Sequence, residues 1–205
     1  MLAIAWFELR SRLKSATTWI FLVAFAAVAA LWMAAAGGVF ASANLGFGSD
    51  KVFISAPYAL AQTITVLGLM AVVVIAAFMG QAVHQDFEHQ AWHFFFTSPI
   101  AKRDYYLGRF LGAVLTLLFV FLGIALGILV GAHWPGVDPT RVGPWSLEAF
   151  VRPYLMMTLP NILFLGALFF GLAALTRRML PVYVAGVVVL VGNLIAPRLL
   201  RDIDN

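Results

Sequence analysis

The 205-residue sequence contains no cysteine and very few charged residues. Without cysteine, disulfide bonds and thiolate metal sites are excluded. The 13 Lys and Arg and the 9 Asp and Glu amount to 11% of the chain, whereas a soluble domain carries about a quarter. Because 63% of the residues are hydrophobic, too little polar surface exists to cover a globule in water. The composition therefore excludes soluble and disordered chains and predicts a membrane protein.

The few charges leave five long stretches without any Asp, Glu, Lys or Arg. These stretches are Ser15–Ser49, Val52–Gln85, Phe110–Val137, Pro153–Thr176 and Met179–Pro197. A membrane-spanning helix needs about 20 mainly apolar residues, so each stretch can hold one. The stretches are apolar on all faces, whereas barrel strands alternate apolar and polar residues. The sequence thus predicts an all-α, polytopic transmembrane helix bundle with spans near 17–40, 57–83, 107–131, 154–176 and 180–197.

Lys and Arg concentrate on one side of this predicted bundle. The N-terminal segment and the second and fourth connections carry three, three and two of them, and alternation puts these eight on the same side. The first and third connections carry only three. Since cytoplasmic connections hold the excess of Lys and Arg, a cytoplasmic N-terminus is predicted. The basic residues form no continuous face, so nucleic acid is not an expected partner.

The segment before the first span has helical periodicity. Its apolar stripe consists of Leu2, Trp6, Leu9 and Leu13. Glu8 precedes Arg12 by four residues on a neighbouring face, so the two can pair. Residues 1–15 are therefore predicted to form an amphipathic helix in the cytoplasmic interface. A plain positively charged anchor for the first span remains the alternative.

Glycines recur four residues apart along the third predicted span. They are Gly108 and Gly112 at its start and Gly123, Gly127 and Gly131 further along. Small residues at this spacing let two helix backbones approach closely. Packing within the chain and a seam between two copies are both compatible with the pattern.

The cores of the predicted spans contain no Asp, Glu, Lys or Arg that could carry a proton or sodium relay. The chain also lacks the G-x-x-x-x-G-K-[ST] phosphate loop with which it could hydrolyse ATP itself. No catalytic motif is apparent. If the protein moves a substrate uphill, the energy must come from another component.

The segment between the second and third spans, residues 84–106, gathers three of the four histidines with acidic and basic residues. A metal site could use His89 and His93 with Glu88, but their order is not H-E-x-x-H. A docking element would consist of one helix, a break at 97–99, and a second helix that leads into the third span. A solvated connection with interfacial aromatic residues fits the spacing equally well.

At this segment the sequence resembles the ABC-2 type transporter permeases. The similar stretches are Thr97-Ser98-Pro99-Ile100-Ala101-Lys102-Arg103, Tyr106-Leu107-Gly108-Arg109 and the N-terminal Phe7-Glu8-Leu9-Arg10. These motifs are short, so the resemblance rests on their order and on the arrangement of spans, which covers essentially the whole chain.

A narrower resemblance concerns the permease regions that precede an M1-type aminopeptidase domain. It is carried by Asp138–Leu147 and by Leu159–Phe170. The peptidase signature H-E-x-x-H is absent from 1–205, so zinc would belong only to a downstream peptidase domain. Two alternatives to transport therefore stay open: a membrane anchor for such an enzyme, and a membrane scaffold that transports nothing.

The resemblance implies a bacterial inner-membrane permease that pairs with a separate ATPase subunit, on which ATP and Mg would bind, and with a second membrane half. The second half would make a homodimer or a pseudo-dimer. The chain itself would hold no cofactor. Family members have about six spans per half, so we expect the chain to continue beyond residue 205. The ATPase-coupling residues implied in the 84–106 loop are Asp86, Glu88, His89, Thr97, Ser98, Pro99, Lys102 and Arg103.

Overall fold

The computed structural model describes residues 1–39, 53–88, 101–144 and 146–203. Within these residues the chain forms helices and no strand. The α-helices are α1 Leu2–Leu13, α2 Ala16–Ala36, α3 Pro57–Glu88, α4 Lys102–Ala132, α5 Leu147–Pro153, α6 Leu159–Thr176 and α7 Met179–Ile203. A short 3-10 helix, Pro139–Arg141, and a π-helical segment, Tyr154–Thr158, complete the described elements.

Five helical regions are long and apolar enough to cross a membrane. They are Ala16–Ala36, Pro57–Gln85, Lys102–Ala132, Phe150–Thr176 and Met179–Ala196. Their most apolar windows have mean hydropathies between 1.9 and 2.9. The prediction of an all-α membrane protein with five spans is therefore confirmed.

The first span ends four residues earlier than the sequence predicted, at Ala36 instead of residue 40. Gly38 has a φ of +87°, a conformation that only glycine adopts without strain. The turn lets Val39 N–H donate to Ala34 O at 3.1 Å, which satisfies a carbonyl that the helix end would leave unpaired. The Gly37–Gly38 pair was the sequence signal for this end.

The fourth span begins irregularly, because Pro160 lies in the first turn of α6. Proline has no N–H and its ring collides with the carbonyl four residues earlier. The chain meets both constraints by widening into the π-helical segment before α6. The irregular segment ends at Thr158, two residues before Pro160.

Several helices are longer than the predicted spans. α3 continues to Glu88 instead of 83, α4 starts at Lys102 instead of 107, and α7 reaches Ile203 instead of 197. Helical hydrogen bonds are local, so a helix can continue past the apolar stretch that crosses the bilayer. Charge therefore marks where the apolar stretch stops and does not mark the helix end.

The chain divides into two compact units. The first unit consists of Met1–Arg12, Leu69–Leu117 and Asn161–Asn205, and the second consists of Leu13–Gly68 and Leu118–Pro160. The core of the first unit packs α3 against α6 and α7. A Cβ atom built on Gly166 would lie 2.7 Å from Met79 Cε, and one on Gly186 would lie 3.2 Å from Ala76 Cβ.

In the second unit, α4 lies directly against α2 along a seam of glycines. A Cβ atom on Gly123, Gly127 or Gly131 would collide with the backbone oxygen of Leu22, Ala26 or Ala30 respectively. Edge-to-face aromatic contacts flank this seam, with ring centroids 5.4 Å apart for Trp19–Phe119 and 5.1 Å apart for Phe25–Phe121. Along this seam, α2 and α4 are joined by close packing of small residues.

The connection that follows α4 closes the C-terminal end of α2 within the same unit. Arg141 Nη1 donates to Ala36 O at 3.3 Å, and Asp138 N–H donates to Gly37 O at 3.1 Å. Ile54 N–H in turn donates to Arg141 O at 2.9 Å. The Arg141 cation and the Asp138 backbone N–H thus occupy the helix end, where unpaired carbonyls favour positive charge.

Candidate functional site

The most unusual polar arrangement among the described residues lies in the first unit, where α1 meets the start of α4. Glu8 is only 3% exposed. Arg12 Nε donates to Glu8 Oε1 at 2.6 Å, and Arg109 Nη1 forms an ion pair with Glu8 Oε2. Both arginine side chains are themselves largely buried, at 10% and 12% exposure. One carboxylate therefore lies between two guanidinium groups; we call Glu8, Arg12 and Arg109 the α1–α4 charge cluster.

Arg12 also connects the charge cluster to α3. Its Nη1 donates to Phe78 O at 3.4 Å, and its guanidinium carbon lies 5.8 Å from the centroid of the Phe78 ring. On the other side, the Arg109 guanidinium carbon lies 5.8 Å from the Tyr105 ring centroid. Aromatic faces attract cations, so both arginines keep favourable partners besides the carboxylate.

Two glycines permit the close approach on which the charge cluster depends. A Cβ atom on Gly112 would lie 2.6 Å from Glu8 Cβ, and one on Gly108 would lie 2.8 Å from Ile4 Cβ. These distances are shorter than carbon atoms tolerate, so only glycine lets α1 lie this close to α4. The five glycines singled out in the sequence thus contact two different neighbours in the chain: Gly108 and Gly112 contact α1, while Gly123, Gly127 and Gly131 contact α2.

The outward side of α1 is strongly apolar. Leu2, Trp6 and Phe7 are 76%, 66% and 70% exposed, whereas Ala5 and Glu8 are buried. This is the reverse of a helix on a water-soluble protein, where the apolar face turns inward. It is the distribution expected of a helix whose apolar face meets lipid.

The predicted ATPase-coupling residues are only partly described. Asp86 and Glu88 lie in the last turn of α3, and Lys102 and Arg103 open α4 as exposed residues. The loop predicted over 84–106 is thus helical at both ends. Four of the predicted residues lie outside the described part of the chain: His89, Thr97, Ser98 and Pro99.

Possible metal ligands are also only partly described. His89 and His93 lie outside the described residues. Within the described ranges, no group of three or more His, Asp or Glu side chains could hold a metal ion. His84 has a buried Nδ1 atom without a hydrogen-bond partner in these ranges.

Sequence reasoning identified the Glu8–Arg12 pair, and the ion pair between them is present. It missed the burial of Glu8 and the pairing of Arg109 with Glu8, since Arg109 entered only as part of the positive charge of the second connection and of a family motif. One signal was available, because Glu8 is the only acidic residue before Asp50. A single acid in a basic N-terminal segment, together with glycines on both sides of Arg109, pointed to a specific contact.

The fold defines the class of this protein, which is an α-helical membrane protein with five candidate spans. The sequence matches no protein-family model, no curated protein and no solved structure. A more specific assignment therefore depends on the motifs of the sequence and on the geometry described above.

Proposed function

We propose that this chain is the membrane-spanning permease subunit of an ABC-2 type transporter, located in the bacterial inner membrane with its N-terminus in the cytoplasm. A separate ATPase subunit, holding ATP and Mg, supplies the energy. A second membrane half completes the pathway. The coupling segment is the connection between α3 and α4, with Asp86, Glu88, Lys102 and Arg103 at its ends.

The observation that carries the proposal is how α4 is attached at its start. α4 begins at Lys102, next to the proposed coupling segment, and continues without interruption through Ala132. Seven residues after its start, Arg109 is joined to Glu8 of α1 in a buried ion pair. Because buried charges are costly to separate, a force on this end of α4 would move α1 and α4 together.

The distribution of ionisable residues supports an external energy source. From Phe110 to the end of α4, and throughout α2, α6 and the first 18 residues of α7, the sequence has no Asp, Glu, Lys or Arg. Pumps and ion-coupled carriers place such residues inside the membrane. A permease that is driven mechanically from its cytoplasmic end needs none there.

The proposal is tested by purifying the tagged full-length protein from its own host membrane and identifying any ATPase that co-purifies with it. We expect a stable complex with vanadate-sensitive ATPase activity. Arg103→Glu reverses an exposed charge at the start of α4, so it should weaken the complex at least tenfold. Arg178→Glu is the matched control, because it reverses an exposed charge in the connection between α6 and α7.

Unchanged ATPase association and activity in Arg103→Glu and in Glu88→Lys would refute the coupling assignment. Stoichiometric zinc and aminopeptidase activity in the full-length protein, without a bound ATPase, would instead favour the membrane-anchor alternative. A protein with neither property would be a membrane scaffold.

A further inference from the structure

Two buried polar atoms in the second unit have no hydrogen-bond partner among the residues that the structure describes. They are Nε1 of Trp32, near the end of α2, and Oε1 of Gln62, near the start of α3. The indole N–H can only donate, and the amide oxygen can only accept. Both atoms are shielded from solvent by the protein itself, so the missing partners call for a specific explanation.

The neighbouring residues show that α2 and α3 touch at this level. Thr63 Oγ1 lies 3.7 Å from Met33 Sδ, and both residues are fully buried. The Thr63 hydroxyl donates to Ala59 O at 2.9 Å, so it is already engaged within α3. Trp32 and Gln62 each precede one member of this contact pair by a single residue.

This register puts the two polar residues on the same side of the contact. Consecutive spans run antiparallel, and each helix turns about 100° per residue. Trp32 precedes Met33 on α2, and Gln62 precedes Thr63 on α3. Because the two helices are antiparallel and face each other, a step of one residue backwards on each helix turns both positions toward the same side of the contact. The rise per residue then separates the two positions by only about 3 Å along the helix axis. A donor and an acceptor therefore flank one side of the α2–α3 contact.

Trp32 and Gln62 lie at the depth of the bilayer's interfacial layer, where the polar part of a lipid is found. Trp32 is four residues from the end of α2 at Ala36, and Gln62 is five residues from the start of α3 at Pro57, which corresponds to about 6–8 Å from the helix ends. The interfacial layer of a bilayer is about 5–8 Å thick on each side. Neither α2 nor the first 20 residues of α3 contain a charged residue, so nothing there favours a charged ligand.

We propose that Trp32 and Gln62 bind the hydroxyl group of a neutral amphiphile, with Trp32 N–H donating to the hydroxyl oxygen and the hydroxyl donating to Gln62 Oε1. A hydroxyl is the simplest group that accepts and donates at once. The binding site does not need an ATPase. Only its further role, as the position of the polar group of a transported amphiphile, rests on the proposed permease function.

The test uses the full-length protein in lauryldimethylamine oxide, a detergent without hydroxyl groups, and native mass spectrometry to measure binding of dioleoylglycerol. The comparison probe is the methyl ether of the same lipid, which can accept a hydrogen bond but cannot donate one. We expect dioleoylglycerol to bind wild-type protein about fivefold to tenfold more tightly than the ether, as one lost hydrogen bond implies. This comparison needs no mutation, so it does not depend on any variant folding.

Two variants assign the hydrogen bonds. Trp32→Phe and Gln62→Met remove the donor and the acceptor while keeping similar bulk, and each should weaken dioleoylglycerol binding about fivefold. Gln62→Met should leave binding of the ether unchanged. The controls are Trp19→Phe, whose indole already donates to Leu13 O, and Gln81→Met, an exposed residue of α3.

Equal binding of dioleoylglycerol and its ether to the wild-type protein would overturn the proposal. So would a loss in the two controls as large as in Trp32→Phe and Gln62→Met. Because the measurement contains no ATPase, its failure would leave the permease proposal standing, and failure of ATPase association would leave this site standing.

Discussion

Helix α4 contacts its two neighbours in different ways. At its start it meets α1 through Gly108, Gly112 and the ion pair between Arg109 and Glu8. Further along it meets α2 through Gly123, Gly127 and Gly131, beside edge-to-face aromatic pairs. In lipid there is no hydrophobic drive to join helices, so close packing of small residues holds the α2 seam.

The comparison shows which of the two contacts a change of charge can weaken. The α2–α4 seam depends on shape, because the backbone oxygens of α2 occupy the space that a side chain would need. The α1–α4 contact depends on shape and on charge, since its two cations share a single carboxylate. Changing one charge can therefore weaken the α1–α4 contact and leave the α2–α4 seam intact.

The largest effect is expected from removing the shared carboxylate. Glu8→Ala should lower the free energy of unfolding by about 3–5 kcal/mol, because it leaves two buried arginines without their anion. Steric trapping or SDS titration in micelles measures this change. The double variant Glu8→Ala/Arg109→Ala should lose less than the sum of the single variants, since each single change leaves a charge unpaired.

Strict additivity of the two single variants would contradict this account of the charge cluster. Glu148→Ala is the matched control. Glu148 also pairs with an arginine four residues away, but both of those side chains are mostly exposed. Its removal should change stability by less than about 1 kcal/mol.

The next largest effect is expected at the α2–α4 seam. Gly127→Ala adds a Cβ atom against Ala26 O and 2.7 Å from Ala29 Cβ, so it should destabilise the protein by about 1–3 kcal/mol. Gly171→Ala is the control, because nothing lies within 4 Å of the added atom. If both substitutions had the same effect in SDS titration, close packing would not explain the seam.

A smaller effect should follow when the side chain at position 109 keeps its positive charge but loses the planar shape of the guanidinium group. Arg109→Lys preserves the cation next to Glu8 but loses the planar group above the Tyr105 ring, so it should cost about 1–2 kcal/mol. In the same titration, the free energy of unfolding of Arg109→Lys should lie between those of the wild-type protein and Arg109→Ala. A loss equal to that of Arg109→Ala would mean that charge contributes little to the α1–α4 contact.

The smallest effect is expected at an exposed polar contact. Hydrogen bonds from the Thr140 hydroxyl and backbone N–H lower the pKa of Asp138 from its usual 3.8. A lowered pKa in the folded state stabilises the protein above the unfolded value, and this contribution disappears as pH falls through the folded value. The difference in melting temperature between wild type and Asp138→Ala should therefore be present at neutral pH and shrink below pH 3.8. A difference independent of pH would contradict this origin.

The number of spans and their approximate positions could be predicted from the sequence, because crossing a bilayer requires long stretches without charge. The glycine spacing on α4 was visible as well, and so was the Glu8–Arg12 pair. The ends of the helices were predicted less well. The early end of α2 at Ala36 depends on the turn at Gly38, and the long ends of α3 and α4 depend on local hydrogen bonding and not on hydropathy.

Composition and charge spacing by themselves determined that this protein is helical, that it belongs in a membrane and that the apolar cores of its spans carry no Asp, Glu, Lys or Arg. These properties follow from the cost of moving charge and unpaired backbone into hydrocarbon, which acts on each stretch separately. Only the tertiary structure decided which neighbour each glycine contacts, that Glu8 is buried between Arg12 and Arg109, and that Thr63 of α3 meets Met33 of α2. Those facts depend on which helices meet and at what register, and residues 101 positions apart in the chain carry no local signal of either.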